Sequence, residues 1–408
     1  MSQGVLSSTF ASLQVRNYRC FFVGQGISQI GNWMTTVALS LFVIQLGGRG
    51  LEVGALVACQ FLPVLLIGAW AGLFADRTDK LRLLLVVQCF AMVQSFGLAA
   101  LAFMPAPPMW LLFALAIWGG VATAFDNPAR RSFVVELVDP SRMNNAVSLN
   151  SAMMTGSRVI GPAVAGGVIS LFGYGWCFLI DGVSYVAVMI GYSMIRRSEL
   201  RPPPLVQRAK GQIRAGFAYI RATDELRVPL VMMAIVGTFA YNFAVVLPLL
   251  ITQTFHAAES MFTVLFSVIS VGSLAGALAV ARRREVRLRR VVVMCAAFGV
   301  TLVGLALAPG IPSALAVGLL VGLASSGLMT ATTAIVQIQA EPSMRGRVVA
   351  VQTMVFLGST PIGGPLLGLI CDAWGARVGV AVGAVSAFVA AGYGIASTRG
   401  AAGRRAAG

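Results

Sequence analysis

The sequence predicts an all-α membrane protein whose twelve transmembrane helices form two pseudo-symmetric bundles of six. Three observations carry that class. First, the 408 residues are 58% hydrophobic and only 11% charged, with a mean hydropathy of +0.85. A soluble chain carries about 25% charged residues, so this one lacks the polar surface that water requires. Second, Lys and Arg are absent from long, regularly placed stretches. Third, two separate features recur at one offset. Asp139-Pro140-Ser141-Arg142 has a counterpart in Glu341-Pro342-Ser343-Met344-Arg345, and Gly161-Pro162 has one in Gly364-Pro365; Arg142 to Arg345 and Gly161 to Gly364 are both 203 residues apart.

A membrane helix needs about 20 apolar residues, and a cation at its centre is costly. The cation-free stretches run 20–48, 50–76, 83–129, 143–195 (broken once, by Arg158), 229–281, 291–344, 348–376 and 378–398. Four are long enough for two spans and four fit one each, which gives twelve. In order, the spans are placed at 20–46, 53–75, 82–103, 109–128, 145–171, 175–195, 229–252, 260–281, 289–308, 313–335, 347–371 and 376–396. Turns inside the long stretches are marked by Pro105/Pro107/Pro108, Gly173/Gly175, His256/Glu259 and Pro309/Gly310/Pro312, since such clusters punctuate helices.

With twelve spans both termini share a side. That side holds 27 of the 30 cations; the other holds Arg49 and Arg377, and Arg158 lies within a span. The positive-inside rule places the cation-rich side, with both termini, in the cytoplasm. The net charge of +16 is therefore topogenic, and no nucleic-acid partner is expected. The expected partners are the lipid bilayer of the cell membrane and a small-molecule substrate, with the chain a monomer. Residues 1–195 form the first bundle, 196–228 a cytoplasmic linker and 229–408 the second bundle. Residues 1–19 are polar and do not read as a cleavable leader. In the linker, Ile213, Phe217 and Ile220 share a face opposite Arg214 and Arg221, consistent with a short helix on the inner membrane surface or with a solvated linker helix.

Chemistry of other kinds finds little support. One His (His256) and scattered carboxylates give no metal site and no catalytic cluster. Cys20, Cys59, Cys89, Cys177, Cys295 and Cys371 show no metal spacing; a Cys177–Cys371 disulfide is conceivable, and inert thiols are the plainer reading. No phosphate-binding Gly-x-x-x-x-Gly-Lys-Ser/Thr occurs, so ATP is not expected to drive the protein. Internal duplication in a helical membrane protein points to secondary transport, with the site at mid-depth and access alternating by rocking. No cofactor is expected beyond an ion gradient.

The loop after the second span reads Gly72-Leu73-Phe74-Ala75-Asp76-Arg77-Thr78-Asp79-Lys80-Leu81-Arg82. This resembles the cytoplasmic signature loop of the major facilitator superfamily. The fifth span carries Gly156, then Gly161-Pro162 and Gly166-Gly167, similar to that superfamily's exporter motif with one extra residue before the glycine pair. Phe178-Leu179-Ile180-Asp181, with the openings of the first and fifth spans, resembles the branch that holds the enterobactin exporter and macrolide-efflux proteins. The resemblance implies a proton-driven exporter of small amphipathic molecules. It also implies that Asp76, against the start of the eleventh span, latches the inner gate. Two departures stand out. Residues 109–128 contain no Arg, where many proton-coupled drug exporters carry one, and Val280 stands where the second bundle's equivalent of Asp76 would align.

Several residues follow as candidates. Asp126 is expected as a further partner for Arg77. Arg158, about thirteen residues from either end of its span, must face a partner or a wet cavity; it is read as an anion-binding or charge-coupling residue, or as half of a structural pair. Asp181, the one carboxylate well inside a span, is read as the residue that exchanges the coupling proton, or as half of a structural pair or a helix-end cap. Gln25, Gln29, Asn32 and Thr36 form one stripe of the first span, and Thr238, Tyr241 and Asn242 lie in its repeat partner, the seventh. Both sets either line the cavity or bind helices together. Gly156, Gly161, Pro162, Gly166 and Gly167 supply a kink and a close-packing surface.

Overall fold

The computed structural model describes residues 10–201, 212–281, 287–341 and 344–406, without the side chains of residues 69, 76, 212–214, 281 and 398–406. Twelve helices among these are long and apolar enough to cross a membrane, and no strand occurs among the described residues. The protein is an all-α, twelve-span membrane protein. Its outward faces agree with that solvent: Leu66, Trp110, Leu171, Leu307 and Trp374 are each more than two-thirds exposed, which lipid tolerates and water would not.

The chain divides into two compact units, residues Met1–Phe42 with Leu62–Gln207, and Val43–Phe61 with Arg208–Gly408. In the first unit lie α1 (Arg16–Gln45), α3 (Lys80–Ala102), α4 (Met109–Glu136), α5 (Met143–Phe172), α6 (Tyr174–Ser193) and the later part of α2 (Gly50–Arg77). Small residues let α1 and α6 approach closely. A Cβ on Gly24 would sit 3.1 Å from the Val188 Cα, and one on Gly191 would sit 2.8 Å from the Cys20 carbonyl. At the cation-rich end an aromatic plug closes the helices, with Phe21 stacked on Tyr192 (5.9 Å) and edge-on to Phe133 (6.1 Å). The Tyr18 hydroxyl donates to the Ala146 carbonyl (2.8 Å).

Two boundaries differ from the sequence expectation. Asp76 lies in the last turn of α2 rather than past its end; its side chain is outside the described residues, so the expected latch is too. Helix α4 continues beyond residue 128 to Glu136, through Pro128. Arg130 and Arg131 therefore belong to the fourth helix.

The second unit begins with the first turns of α2 and continues through α7 (Gln212–Ala222), α8 (Asp224–Phe239), α9 (Phe243–Leu249), a π-helical turn at Leu250–Thr254, α10 (Ser260–Ala281), α11 (Leu288–Ala306), α12 (Ile311–Gln339), α13 (Arg345–Trp374) and α14 (Ala376–Ala406). The linker helix α7 forms as expected, but its Gly216 approaches Arg347 and Val351 of α13 (3.3 and 3.4 Å from a Cβ). Its Ile220 is buried while Phe217 is 46% exposed. Ile213, Arg214 and Pro202-Pro203-Pro204 fall outside the described residues or side chains, as do Arg282 and Pro342-Ser343.

The seventh span is not one helix. It breaks at Ala240–Asn242, and beyond Pro248 it widens into the π turn, where Phe255 N–H reaches the Leu250 carbonyl (3.0 Å). Proline removes a helical donor and π turns absorb the register change. The start of α2 is fastened to the end of α13. Asp372 accepts the backbone N–H groups of Gly50 (2.7 Å) and Leu51 (2.9 Å). A carboxylate there satisfies two of the orphan donors of a helix N-terminus and complements its dipole.

Candidate functional site

The candidate site is the mid-depth face of α5 with the middle of α1. Between residues 144 and 158, five of the eight polar side chains of α5 share a face, Asn144, Ser148, Ser151, Thr155 and Arg158, while Asn145, Asn150 and Ser157 lie off it. At 100° per residue these five lie within about 80° of one another. All are exposed except half-buried Thr155, whereas Ala146, Leu149 and Ser157 are buried. The Ser151 and Thr155 hydroxyls donate to the carbonyls four residues earlier (both 2.9 Å), which leaves their lone pairs as acceptors toward the open side.

Arg158 stands halfway along the 30-residue helix. Its guanidinium lies over the indole of Trp33, 4.7 Å from the ring centroid. Gly161, one turn further on, makes that contact possible: a Cβ there would lie 2.5 Å from the Trp33 Cβ and 2.9 Å from the Ile30 carbonyl. The glycine thus seats Trp33 beside Arg158. The rest of the expected exporter motif divides. Pro162 and Gly166 are buried, while a Cβ on Gly156 or Gly167 would meet nothing within 4 Å.

Asp181 is fully buried. Its Oδ2 accepts from the hydroxyls of Thr35 on α1 and Ser95 on α3 (both 2.7 Å), its Oδ1 has no hydrogen-bond partner, and a Cβ on Gly31 would collide with the carboxylate. The carboxylate is thus held by hydroxyls of two other helices.

The expected polar stripe of α1 splits by depth. Gln25 and Gln29 are buried, and Gln25 accepts from the Tyr192 hydroxyl (2.8 Å). Asn32 is exposed and Thr36 half-exposed, its hydroxyl donating to the Asn32 carbonyl (2.8 Å). In the second unit, Thr238 donates to the Ala234 carbonyl (2.7 Å), Tyr241 to the Ser325 carbonyl (2.6 Å) and the Asn242 amide to the Thr238 carbonyl (2.7 Å). Tyr241 packs among Phe243, Phe298 and Phe356. These three residues organise the break in the seventh span; of their polar atoms, buried Asn242 Oδ1 has no hydrogen-bond partner.

The signature loop reaches acids the sequence did not single out. Lys80 pairs with Glu136, both nearly buried. Asp79 caps α3 through the Arg82 N–H (3.1 Å) and takes Arg197 (2.7 Å). Gly72 is in contact range of Pro128, 3.8 Å from a Cβ. Asp126 is engaged by Arg130 (2.9 Å) and Gln88 (2.9 Å) rather than by the expected Arg77, which is exposed. Arg130 also donates to Asn127 (3.0 Å). An i,i+4 Asp–Arg pair is readable from sequence; ending the helix at 128 hid it. All six cysteines are free thiols.

The model of the family described as transmembrane secretion effector matches residues 7–399. The chain belongs to this family, within the major facilitator superfamily. A staphyloferrin A transporter of Staphylococcus aureus is 22% identical, over 87% of this chain and 89% of its own length. Macrolide efflux protein A of Streptococcus pyogenes is 21% identical, over 88% of this chain and 89% of that protein. Among solved structures, the nucleoside transporter NupG superposes with a TM-score of 0.77 at 13% identity, covering 95% of this chain and 99% of that one. The structural likeness speaks to the fold.

Proposed function

We propose that this transporter exports small amphipathic molecules across the cytoplasmic membrane by alternating access, in exchange for protons. Both termini and the cation-rich loops lie in the cytoplasm, and the chain works as a monomer with no cofactor. The observation that carries the reading is the largely exposed polar face of α5, which runs from Asn144 near the start of the helix to Arg158 at mid-depth. Lipid cannot hydrate a cation at that depth, so this face lines a water-filled path. The relatives named for siderophore transport and macrolide efflux support small amphipathic cargo. The signature loop from Gly72 to Arg82 serves as the inner gate. Asp181 exchanges the proton: it is buried at the contact of α1, α3 and α6 with one oxygen unpartnered, so a change in its charge bears on how those helices pack.

The test is dye and drug efflux in everted vesicles with an imposed pH gradient. Movement that collapses on adding a protonophore is expected. Asp181→Asn should retain expression and transport but lose dependence on the gradient. Substrate movement indifferent to protonophore would assign a facilitator instead, and unchanged coupling in Asp181→Asn would remove that residue from the mechanism.

A further inference from the structure

We infer that Asp126 is a second proton-carrying acid of the first unit, and that the Tyr185 hydroxyl passes the exchanged proton between it and Asp181. The inference rests on the exchange reading of Asp181 above and names the path its proton takes. Helix α3 sets the two acids on one ruler. Its Ser95 hydroxyl donates to Asp181 (2.7 Å) and its Gln88 amide to Asp126 (2.9 Å). Those two residues are seven positions apart on one face of the helix, about 10 Å along the axis at 1.5 Å per residue. Tyr185 falls in that interval. It lies one turn beyond Asp181 on α6, about 6 Å toward the cation-rich end, and is buried. It sits in the field of both carboxylates and of Arg130, and its hydroxyl pairs with that of buried Ser28 on α1.

The two acids differ in access. Asp181 is fully buried, while the Asp126 side chain is 16% exposed, so the way from this path to solvent leads through Asp126. Gln88 holds its Oδ1 and Arg130 its Oδ2 (both 2.9 Å). Among the described residues, the charged and titratable groups facing Asp126 are Arg130 on its own helix and Tyr185 and Tyr192 on α6. A hydroxyl both accepts and donates. Tyr185 takes a proton on a lone pair, gives its own to the next acid and turns back. One proton is taken up at Asp181 Oδ1, the oxygen without a hydrogen-bond partner, and one leaves Asp126, while Tyr185 ends as it began; the path runs equally in reverse. A phenylalanine would fill the same space without burying a hydroxyl, so packing alone does not call for Tyr185.

The experiment uses the purified full-length protein in phosphatidylcholine vesicles tethered through a tag on the C-terminus, which turns the cation-rich face outward. Acid is perfused over them, and infrared difference spectra follow the protonated-carboxyl band that Asp181→Asn removes. No transported compound is needed. In Tyr185→Phe and in Asp126→Asn the band should rise at least about tenfold more slowly than in the wild type, the scale of a lost proton-transfer group, and reach the same final height. Asp126→Glu should restore most of the rate. A merely structural role would lower the melting temperature or the final height and leave the rate, so thermal melts accompany each variant; should one variant not fold, the other decides. Wild-type rates in the folded variants overturn the relay and leave the reading of Asp181 standing. A wild type without any band sensitive to Asp181→Asn removes that reading and the relay with it. The expected slowing, together with ethidium efflux that ignores a protonophore, upholds the relay and removes proton-driven export.

Discussion

Lys80 and Glu136 show how a residue's surroundings decide the worth of its charge. Their side chains are 10% and 6% exposed, whereas Arg82, two positions on, is 76% exposed beside Asp79. Breaking a buried pair leaves an uncompensated charge, at a cost of about 3–5 kcal/mol; an exposed pair contributes about 0–1 kcal/mol. Glu136→Ala should therefore lower the melting temperature in detergent sharply, Arg82→Ala should barely move it, and Lys80→Met with Glu136→Leu should recover much of the loss. Equal effects of the two single substitutions would contradict the assignment. The cations of this loop were legible in the sequence because their spacing is local. Glu136 was not, because its partner lies 56 positions away and the helix that brings it there runs through a proline. Asp181 is similar. Its isolation within a span drew attention to it, but Thr35 and Ser95 could be recognised as its donors only once α1 and α3 were seen against α6.

At the scale of elements, glycines divide into those that seat a neighbour and those that do not, and the motif alone does not tell them apart. A Cβ on Gly54 would strike the Gly364 carbonyl and lie 2.8 Å from the Pro365 Cα, whereas one on Gly156 would meet nothing within 4 Å. Backbone cannot yield as a side chain tip can, so Gly54→Ala should destabilise by about 1–3 kcal/mol. Gly156→Ala should be neutral or stabilising by up to about 1 kcal/mol through helix propensity. Thermal melts of the two variants check this; a loss in Gly156→Ala equal to that in Gly54→Ala would contradict the packing described. Apart from α4 and α14, which run eight and ten residues past their expected ends at 128 and 396, element positions were readable to within about five residues from the cation-free stretches, as in 260–281 against Ser260–Ala281. The interruption at Ala240–Asn242 was not, because neither Gly nor Pro marks it. The Asn242 side chain instead supplies the donor to the Thr238 carbonyl that a continuous helix would have taken from its backbone.

For the whole molecule, the class followed from supply. A chain with 11% charged residues must find an apolar solvent, and the placement of its arginines fixes how often it crosses. What the sequence left open was whether Arg158 is half of a structural pair or part of a path. The helix face from Asn144 to Arg158, exposed at four of its five polar positions while Ala146, Leu149 and Ser157 are buried, together with the seat that Gly161 makes for Trp33, is the ground on which the path is proposed. That path is the central claim, and Thr155→Cys in a background with the six native cysteines replaced tests it most directly. A membrane-impermeant thiol reagent is applied from each side of sealed vesicles in turn, with and without substrate. Labelling from both sides, slowed by substrate, is the predicted result; a thiol that stays unmodified from either side would contradict it.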